Sequence, residues 1–110
     1  MIALYFIGRG KPLVIEAREQ ITLGRYVPGQ LSPTVDLTPH HAGLMGVSRR
    51  HAVILCEDGV YFIQDVNSTN GTWVNEKRLT PNEPFPLESG DQVRLGQFVF
   101  YISFGEPEEK

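Results

Sequence analysis

Short apolar runs, separated by residues that favour turns, extend along most of the chain. The first runs are 2–7 and 12–15, and the last is 98–104. An amphipathic helix needs apolar residues spaced three to four apart, and no long segment sustains that spacing. The pattern of short runs bounded by Gly, Pro, Asn and Asp instead predicts an all-β domain with close turns.

The same pattern sets the expected strands and hairpins. We expect strands at 2–7, 12–15, 21–23, 51–56, 60–65, 72–75, 77–79, 92–95 and 98–104, with further short strands allowed at 35–37 and near Phe85. Glu57-Asp58-Gly59 predicts a hairpin turn between the two central strands. Gly96-Gln97 predicts a second hairpin that joins the last two strands.

The segment 26–47 interrupts this regularity. It carries Pro28, Gly29, Pro33, Pro39, Gly43 and Gly46. A connection of this length is unusual in a compact domain, and such loops are usually functional or mobile. We therefore expect this segment to be functional or mobile.

Length and composition indicate one globular domain. The chain has 110 residues, of which 41% are hydrophobic and 21% are charged. A chain of this size can form one core without disulfide or metal support. We expect the domain to cover 1–104 and the charged, breaker-rich segment 105–110 to be a flexible acidic tail or linker.

Charge and metal-ligand content argue against several function classes. The net charge is −3, which disfavours general binding to nucleic acid. Cys56 is the single cysteine, and the adjacent His40 and His41 with one remote cysteine form no recognised metal-ligand spacing. The apolar start is too short for a membrane span. We expect a soluble cytoplasmic protein with no membrane association, no bound metal and no cofactor.

Three turns carry unusual chemistry. They are Gly24-Arg25, Ser48-Arg49-Arg50-His51 and 67–72, which reads Asn-Ser-Thr-Asn-Gly-Thr. Together they offer guanidinium groups, hydroxyls, amides and backbone N–H groups freed by glycine. These are the donors that an oxyanion with several acceptor oxygens requires, and phosphate is the obvious case.

The order and types of these residues resemble the signature of the forkhead-associated (FHA) domain. Gly24-Arg25, then Ser48-x-x-His51, then 68–72 with Asn75 downstream match the family pattern, and the resemblance covers about Ile2 to Phe104. It implies an FHA/SMAD-like β-sandwich of about eleven mostly antiparallel strands, with a binding surface built from loops at one end.

The resemblance also implies roles for individual residues. Arg25, Ser48, Arg49 and Thr69 match positions that line the phosphate site. Asn70 matches the asparagine that hydrogen-bonds the ligand backbone beside the phosphoresidue. Positions that mainly hold the loops in shape are matched by Gly24, His51, Gly71 and Asn75. Arg50 stays open: it either points away from the phosphate or selects acidic residues near it.

Each of these residues also has an ordinary structural interpretation. Arg25 alone resembles a solvated arginine at a strand end, and Ser48 alone resembles a turn cap. Asn70-Gly71 is a common hairpin dipeptide in any β protein. Ser48 and His51 invite a hydrolase hypothesis, but the chain has no nucleophile elbow, so we expect no enzymatic activity.

The function that the resemblance implies is phosphothreonine-dependent binding of a protein or peptide in signalling. The ligand would be a Ser/Thr kinase, one of its substrates, or a phosphorylated segment of a longer chain that contains this domain. The alternative is a scaffold domain that binds a partner without phosphate, through a sheet face or the 26–47 loop.

Overall fold

Two β-sheets packed face to face form the computed structural model, which describes residues 1–8, 10–30 and 32–105. Eleven strands lie within these ranges. The strands are β1 (Ile2–Phe6), β2 (Leu13–Ile15), β3 (Gln20–Gly24), β4 (Val35–Asp36), β5 (Arg50–Glu57), β6 (Val60–Asp65), β7 (Thr72–Val74), β8 (Lys77–Arg78), β9 (Phe85–Leu87), β10 (Gln92–Leu95) and β11 (Phe98–Phe104). The prediction of an all-β sandwich with about eleven mostly antiparallel strands is confirmed.

The chain passes between the sheets several times. One sheet has six strands in the order β2-β1-β11-β10-β7-β8, and the other has five in the order β4-β3-β5-β6-β9. The described pairings are antiparallel except that β4 runs parallel to β3. Gly24 pairs with Arg50 and Ala52 pairs with Asp65, so the end of β3, the start of β5 and the end of β6 lie together.

Alternating side chains from the two sheets fill the core. Leu4 on β1 lies opposite Ile102 on β11, and Ile54 on β5 lies opposite Ile63 on β6, all fully buried. Phe100 is the largest fully buried side chain. Burial of each such side chain stabilises the fold by about 1.5–3 kcal/mol relative to exposure. The core thus fixes both sheets as a frame for the loops.

A bulge interrupts the pairing of β3 with β5. Leu23 pairs with Ala52, but the next pair is Gly24 with Arg50, so His51 is an extra residue on β5. A bulge redirects side chains and bends its strand. His51 and Ala52 are consecutive in sequence, yet both are fully buried. The imidazole of His51 lies beneath the loops, where it bonds to Ser48 and Gly71.

The described part of 26–47 is folded onto the domain. It contains β4 and two short 3₁₀ turns, Thr38–His40 and Ala42–Met45. The side chains of Leu37, Ala42 and Val47 are buried in the core. An irregular loop was the expectation, and the difference arises because these apolar residues, spaced among prolines and glycines, anchor the segment.

The carboxylate of Asp36 joins the start of this segment to its first 3₁₀ turn. Its Oδ1 atom accepts hydrogen bonds from the backbone N–H groups of Tyr26 (2.9 Å) and Thr38 (3.0 Å). Burial alone would raise the pKa of Asp36, but the hydrogen bonds from Thr38 and Tyr26 outweigh it and lower the pKa. The ionised carboxylate therefore acts as a fixed turn support.

The predicted tail at 105–110 lies outside the described residues except for Gly105. Within the described ranges, no helix has the length and apolar character needed to cross a bilayer.

Candidate functional site

A cavity of about 470 Å³ opens at the end of the sandwich where β3, β5 and β6 meet the loops. All five predicted ligand contacts line it, namely Arg25, Ser48, Arg49, Thr69 and Asn70. Arg50, Gly43, Gly46, Val47 and Asn67 complete the described lining. The structure thus brings together side chains from three turns that are far apart in sequence.

Arg25 is held by its backbone and by its side chain. Its backbone N–H donates to the Arg49 carbonyl at 3.0 Å, and its Nε donates to the Val47 carbonyl at 2.5 Å. Among the described residues, neither Nη atom of Arg25 has a hydrogen-bond acceptor. The guanidinium is therefore fixed at Nε, while its terminal donors are available to a ligand in the cavity.

Gly24 permits the close approach of the Arg25 and Ser48 loops. A Cβ atom at position 24 would lie 1.9 Å from the Arg49 carbonyl oxygen and 2.8 Å from the Arg49 carbonyl carbon. Both atoms belong to the backbone, so no side-chain rotation relieves the overlap. The glycine therefore lets Arg49 pack directly over the end of β3.

Ser48 connects the second loop to the third. Its Oγ accepts a hydrogen bond from the backbone N–H of Thr69 at 3.1 Å. A hydroxyl can accept and donate at the same time. The Ser48 proton is therefore available for an acceptor in the cavity while Oγ positions Thr69.

His51 connects the two sheets beneath the cavity. Its Nδ1 accepts from the Ser48 backbone N–H at 3.0 Å, so Nε2 carries the proton and donates to the Gly71 carbonyl at 2.8 Å. Burial lowers the pKa of His51, which keeps the imidazole neutral. Since its contact with Ser48 is through the backbone, the hydroxyl does not form the serine–histidine pair of a hydrolase.

Asp65 organises the third loop from inside. Its Oδ1 accepts hydrogen bonds from the hydroxyls of Ser68 (2.5 Å) and Thr72 (2.6 Å), and its Oδ2 accepts from the Ser68 N–H at 3.2 Å. Ser68 Oγ in turn accepts from the Gly71 N–H at 2.9 Å. Burial alone would raise the pKa of Asp65, but the bonds from Ser68 and Thr72 outweigh it and lower the pKa.

Asn70 lies at the border of the cavity. Its Nδ2 donates to the Gly46 carbonyl at 3.0 Å, which directs the exposed side chain across the loops. Gly46 has a φ of 85°, and a Cβ there would lie 2.8 Å from Asn70 Nδ2. Among the described residues, Oδ1 and the second amide proton of Asn70 have no hydrogen-bond partner and can reach a ligand.

Gly71 and Asn75 lie at opposite ends of β7. The carbonyl of Gly71 accepts from both His51 and the Gly96 N–H, so Gly71 anchors the loop that borders the cavity. Asn75 instead bonds to Gln92 and Asp91 at the turn between β7 and β8. The structure therefore does not bring Asn75 to the cavity, although it does stabilise a turn.

The cavity lining is cationic although the protein is acidic overall. Arg25, Arg49 and Arg50 contribute to it, and its described lining contains no carboxylate. The net charge of the chain is −3. Local clustering, and not the overall charge, therefore makes this end of the sandwich cationic.

Sequence interpretation missed two contributors to the site. It gave Asp65 no role in the site, although Ser68 and Thr72 at +3 and +7 could have indicated its hydroxyl network. The Val47 carbonyl that holds Arg25 had no sequence signal. Trp73 lies half-buried on β7, and its ring centroid is 3.8 Å from Cζ of Arg94 and 5.1 Å from Cζ of Arg78.

Comparison with known proteins identifies related sequences. A family model described as FHA domain matches residues 21–96. E3 ubiquitin-protein ligase RNF8 of Mus musculus is 36% identical over 85 residues, which are 76% of this chain and 16% of that protein. The probable E3 ubiquitin-protein ligase dma1 of Schizosaccharomyces pombe is 43% identical over 54 residues, which are 46% of this chain and 20% of that protein. The chain thus spans a fifth or less of either relative.

A solved structure gives a match over almost the whole chain. It is described as "Structural and functional analysis of phosphothreonine-dependent FHA domain interactions". The TM-score is 0.73 at 27% sequence identity, and the match covers 96% of this chain and 98% of that one.

Proposed function

The chain belongs to the FHA-domain family, and we propose that it binds phosphothreonine-containing proteins or peptides through the cavity at the loop-bearing end. The observation that carries this proposal is the convergence of three arginines and the Ser48 hydroxyl in one cavity whose described lining has no carboxylate. A phosphothreonine carries about −1.5 to −2 charges and three strong acceptor oxygens at pH 7, which matches these donors.

Each proposed contact has a distinct task. The terminal donors of Arg25 meet the phosphate as a fork, because Nε is already bonded to Val47. The Ser48 hydroxyl donates to a second phosphate oxygen. Arg49 supplies a further charge, and Thr69 closes the same side of the cavity.

Asn70 holds the peptide backbone instead of the phosphate. Its free amide atoms provide one acceptor and one donor, which an extended backbone can satisfy together. Gly24, His51 and Gly71 act indirectly because they position the loops. We assign Asn75 a supporting role at the distant β7–β8 turn only.

The relatives indicate the setting in which such a domain works. The solved structure with 27% identity is described in terms of phosphothreonine-dependent interactions. The two matched ligases are much longer than this chain, so any ubiquitin-ligase activity is attributed to them alone. We propose that this domain docks a Ser/Thr kinase, a kinase substrate or a phosphorylated segment of a longer chain, in the cytoplasm, and catalyses no reaction itself.

Calorimetry with three forms of one peptide tests the proposal. A peptide chosen from a degenerate phosphothreonine library is prepared with phosphothreonine, phosphoserine or unmodified threonine. We expect phosphothreonine to bind most tightly and phosphoserine to lose about 0.8 kcal/mol for one methyl group. Equal affinity for all three forms would refute the proposal.

The exposed face of the six-stranded sheet favours a second candidate function. Tyr5 and Tyr101 are paired across β1 and β11 and are 46% and 40% exposed, and Val14 on β2 is 48% exposed. Such a face can bind a partner without phosphate. Arg25→Ala and Tyr101→Arg distinguish the two functions. If phosphate binding dominates, Arg25→Ala fails to capture the physiological partner. If the sheet face binds the partner, Tyr101→Arg fails to capture it.

A further inference from the structure

A second cavity of about 410 Å³ adjoins the first cavity, in which we propose that the phosphate binds. Thr22 on β3, the segment 32–34, Arg49 and Arg50 form most of its wall. Arg49 and Arg50 line both cavities. A ligand bound in the first cavity therefore has a second cationic recess directly beside it, on the side away from Asn70.

Reciprocal hydrogen bonds hold the wall of this second cavity. The backbone N–H of Thr22 donates to Thr34 Oγ1 at 3.1 Å, and the backbone N–H of Thr34 donates to Thr22 Oγ1 at 2.7 Å. The two hydroxyl oxygens lie 3.2 Å apart. These two hydrogen bonds fix residues 32–34 against β3, so the shape of the recess is set by the fold.

The two arginines that separate the cavities lack protein partners. Both side chains are exposed, and among the described residues neither guanidinium has an ion pair or a hydrogen bond. The described lining of the second cavity also contains no carboxylate. One phosphate cannot occupy two recesses, so two adjacent arginines beside two cavities have the capacity for two anions.

We propose that Arg50, with Arg49 and the wall at 32–34, forms a second anion-binding site for a second phosphate on the same ligand. This inference rests on the proposed function, because the first phosphate positions the ligand. The two cavities share Arg49 and Arg50, and an extended chain advances by about 3.3–3.6 Å per residue, so the second phosphate lies within a few residues of the phosphothreonine. The protein would thereby favour doubly phosphorylated segments.

A scan of doubly phosphorylated peptides tests this proposal. Phosphoserine is placed in turn at each of the four positions on either side of the phosphothreonine, and each peptide is titrated against wild type, Arg50→Gln and Arg18→Gln. Arg18 is the matched control because it is exposed, precedes β3 and lines neither cavity. Melting curves of all three proteins report whether each variant is folded.

We expect one side of the scan to contain a position where the second phosphate raises wild-type affinity by about tenfold, the gain of a charged hydrogen-bonded contact. Most of this gain should disappear in Arg50→Gln and persist in Arg18→Gln. If no position gives a gain, or if both variants retain it equally, the second site does not exist.

Two comparisons separate this result from other causes. Aspartate at the responsive position reports on carboxylate binding: a larger gain from phosphoserine supports a phosphate site, and equal gains overturn that assignment. Failure of the singly phosphorylated peptide to bind refutes the proposed function instead. The two hypotheses therefore fail in distinguishable ways.

Discussion

The Nε2 atom of His51 donates a hydrogen bond to the carbonyl of Gly71 over 2.8 Å and so joins the two sheets beneath the cavity. His51 belongs to β5 in the five-stranded sheet, and Gly71 immediately precedes β7 in the six-stranded sheet. The β5 bulge makes this bond possible because it turns His51 inward. A supporting residue thus determines the relative position of two ligand-binding loops.

Replacement of His51 should therefore lower stability as well as affinity. His51→Ala leaves the Ser48 N–H and the Gly71 carbonyl without this partner and creates a cavity, so we expect a loss of about 2–4 kcal/mol in the free energy of unfolding. Urea denaturation measures it. His41→Asn is the control, since His41 is exposed in a left-handed conformation that Asn tolerates. A weakened affinity with unchanged stability of His51→Ala would contradict the supporting role.

The same histidine makes stability dependent on pH. Burial lowers the pKa of His51 in the folded protein, whereas unfolding restores it to about its ordinary value of 6.5. The unfolded state binds the proton more readily, so wild-type stability should fall as the pH drops below about 6.5. The stability difference between wild type and His51→Gln, which does not titrate there, should narrow over the same range. A constant difference from pH 8 to 5 would show that His51 does not remain neutral.

Asp65 is expected to affect both the stability of the domain and its phosphopeptide binding. Asp65→Asn keeps the shape but replaces one acceptor oxygen with a donor facing Ser68 or Thr72, so we expect a loss of about 2–4 kcal/mol of stability and weaker phosphopeptide binding. Asp58→Asn is a matched control in an exposed turn with φ of 53° and should change stability by less than about 0.5 kcal/mol. Equal melting temperatures for both variants would contradict the role of the buried network.

Gly24 provides a steric test of the loop arrangement. Gly24→Ala places a Cβ 1.9 Å from a backbone oxygen of Arg49, so the two loops must separate. We expect a stability loss of about 3 kcal/mol or more, measured by denaturant unfolding. Gly10→Ala introduces the same methyl group where no atom lies within 4 Å and should have little effect. Similar curves for the two variants would mean that the contact of Gly24 with Arg49 is not tight.

The strand pattern could be predicted because it depends on local sequence. Alternation and turn residues predicted the hairpin around Asp58-Gly59 and allowed a short strand at 35–37; the structure has the hairpin and a strand at Val35–Asp36. The β5 bulge could not be predicted, because it lies where Gly24 on β3 closely approaches the backbone of Arg49, just before β5 and far away in sequence. The local sequence does not determine that distance.

The candidate site was predictable to a similar extent. The order of Gly24-Arg25, the Ser48 turn and the Asn70 turn indicated which loops meet, and the structure places Arg25, Ser48 and Asn70 at one cavity. The orientation of Arg25 depends on the Val47 carbonyl, and the third loop depends on the buried Asp65 carboxylate. The bond from Arg25 to Val47 spans 22 positions and has no sequence signal, so only the folded chain reveals it. The bonds of Asp65 to Ser68 and Thr72 are local, and their spacing could have indicated them.

The coupling between Arg25 and the ligand phosphate tests the central claim most directly. Calorimetry of wild type and Arg25→Ala, each with phosphorylated and unphosphorylated forms of one peptide, yields a double-mutant cycle. Arg18→Ala is the control for loss of one positive charge outside the cavity. We expect phosphorylation to be worth about 2–5 kcal/mol more to the wild type and the Arg18 variant than to Arg25→Ala. A coupling energy near zero, with phosphorylation worth the same to all three proteins, would contradict the account.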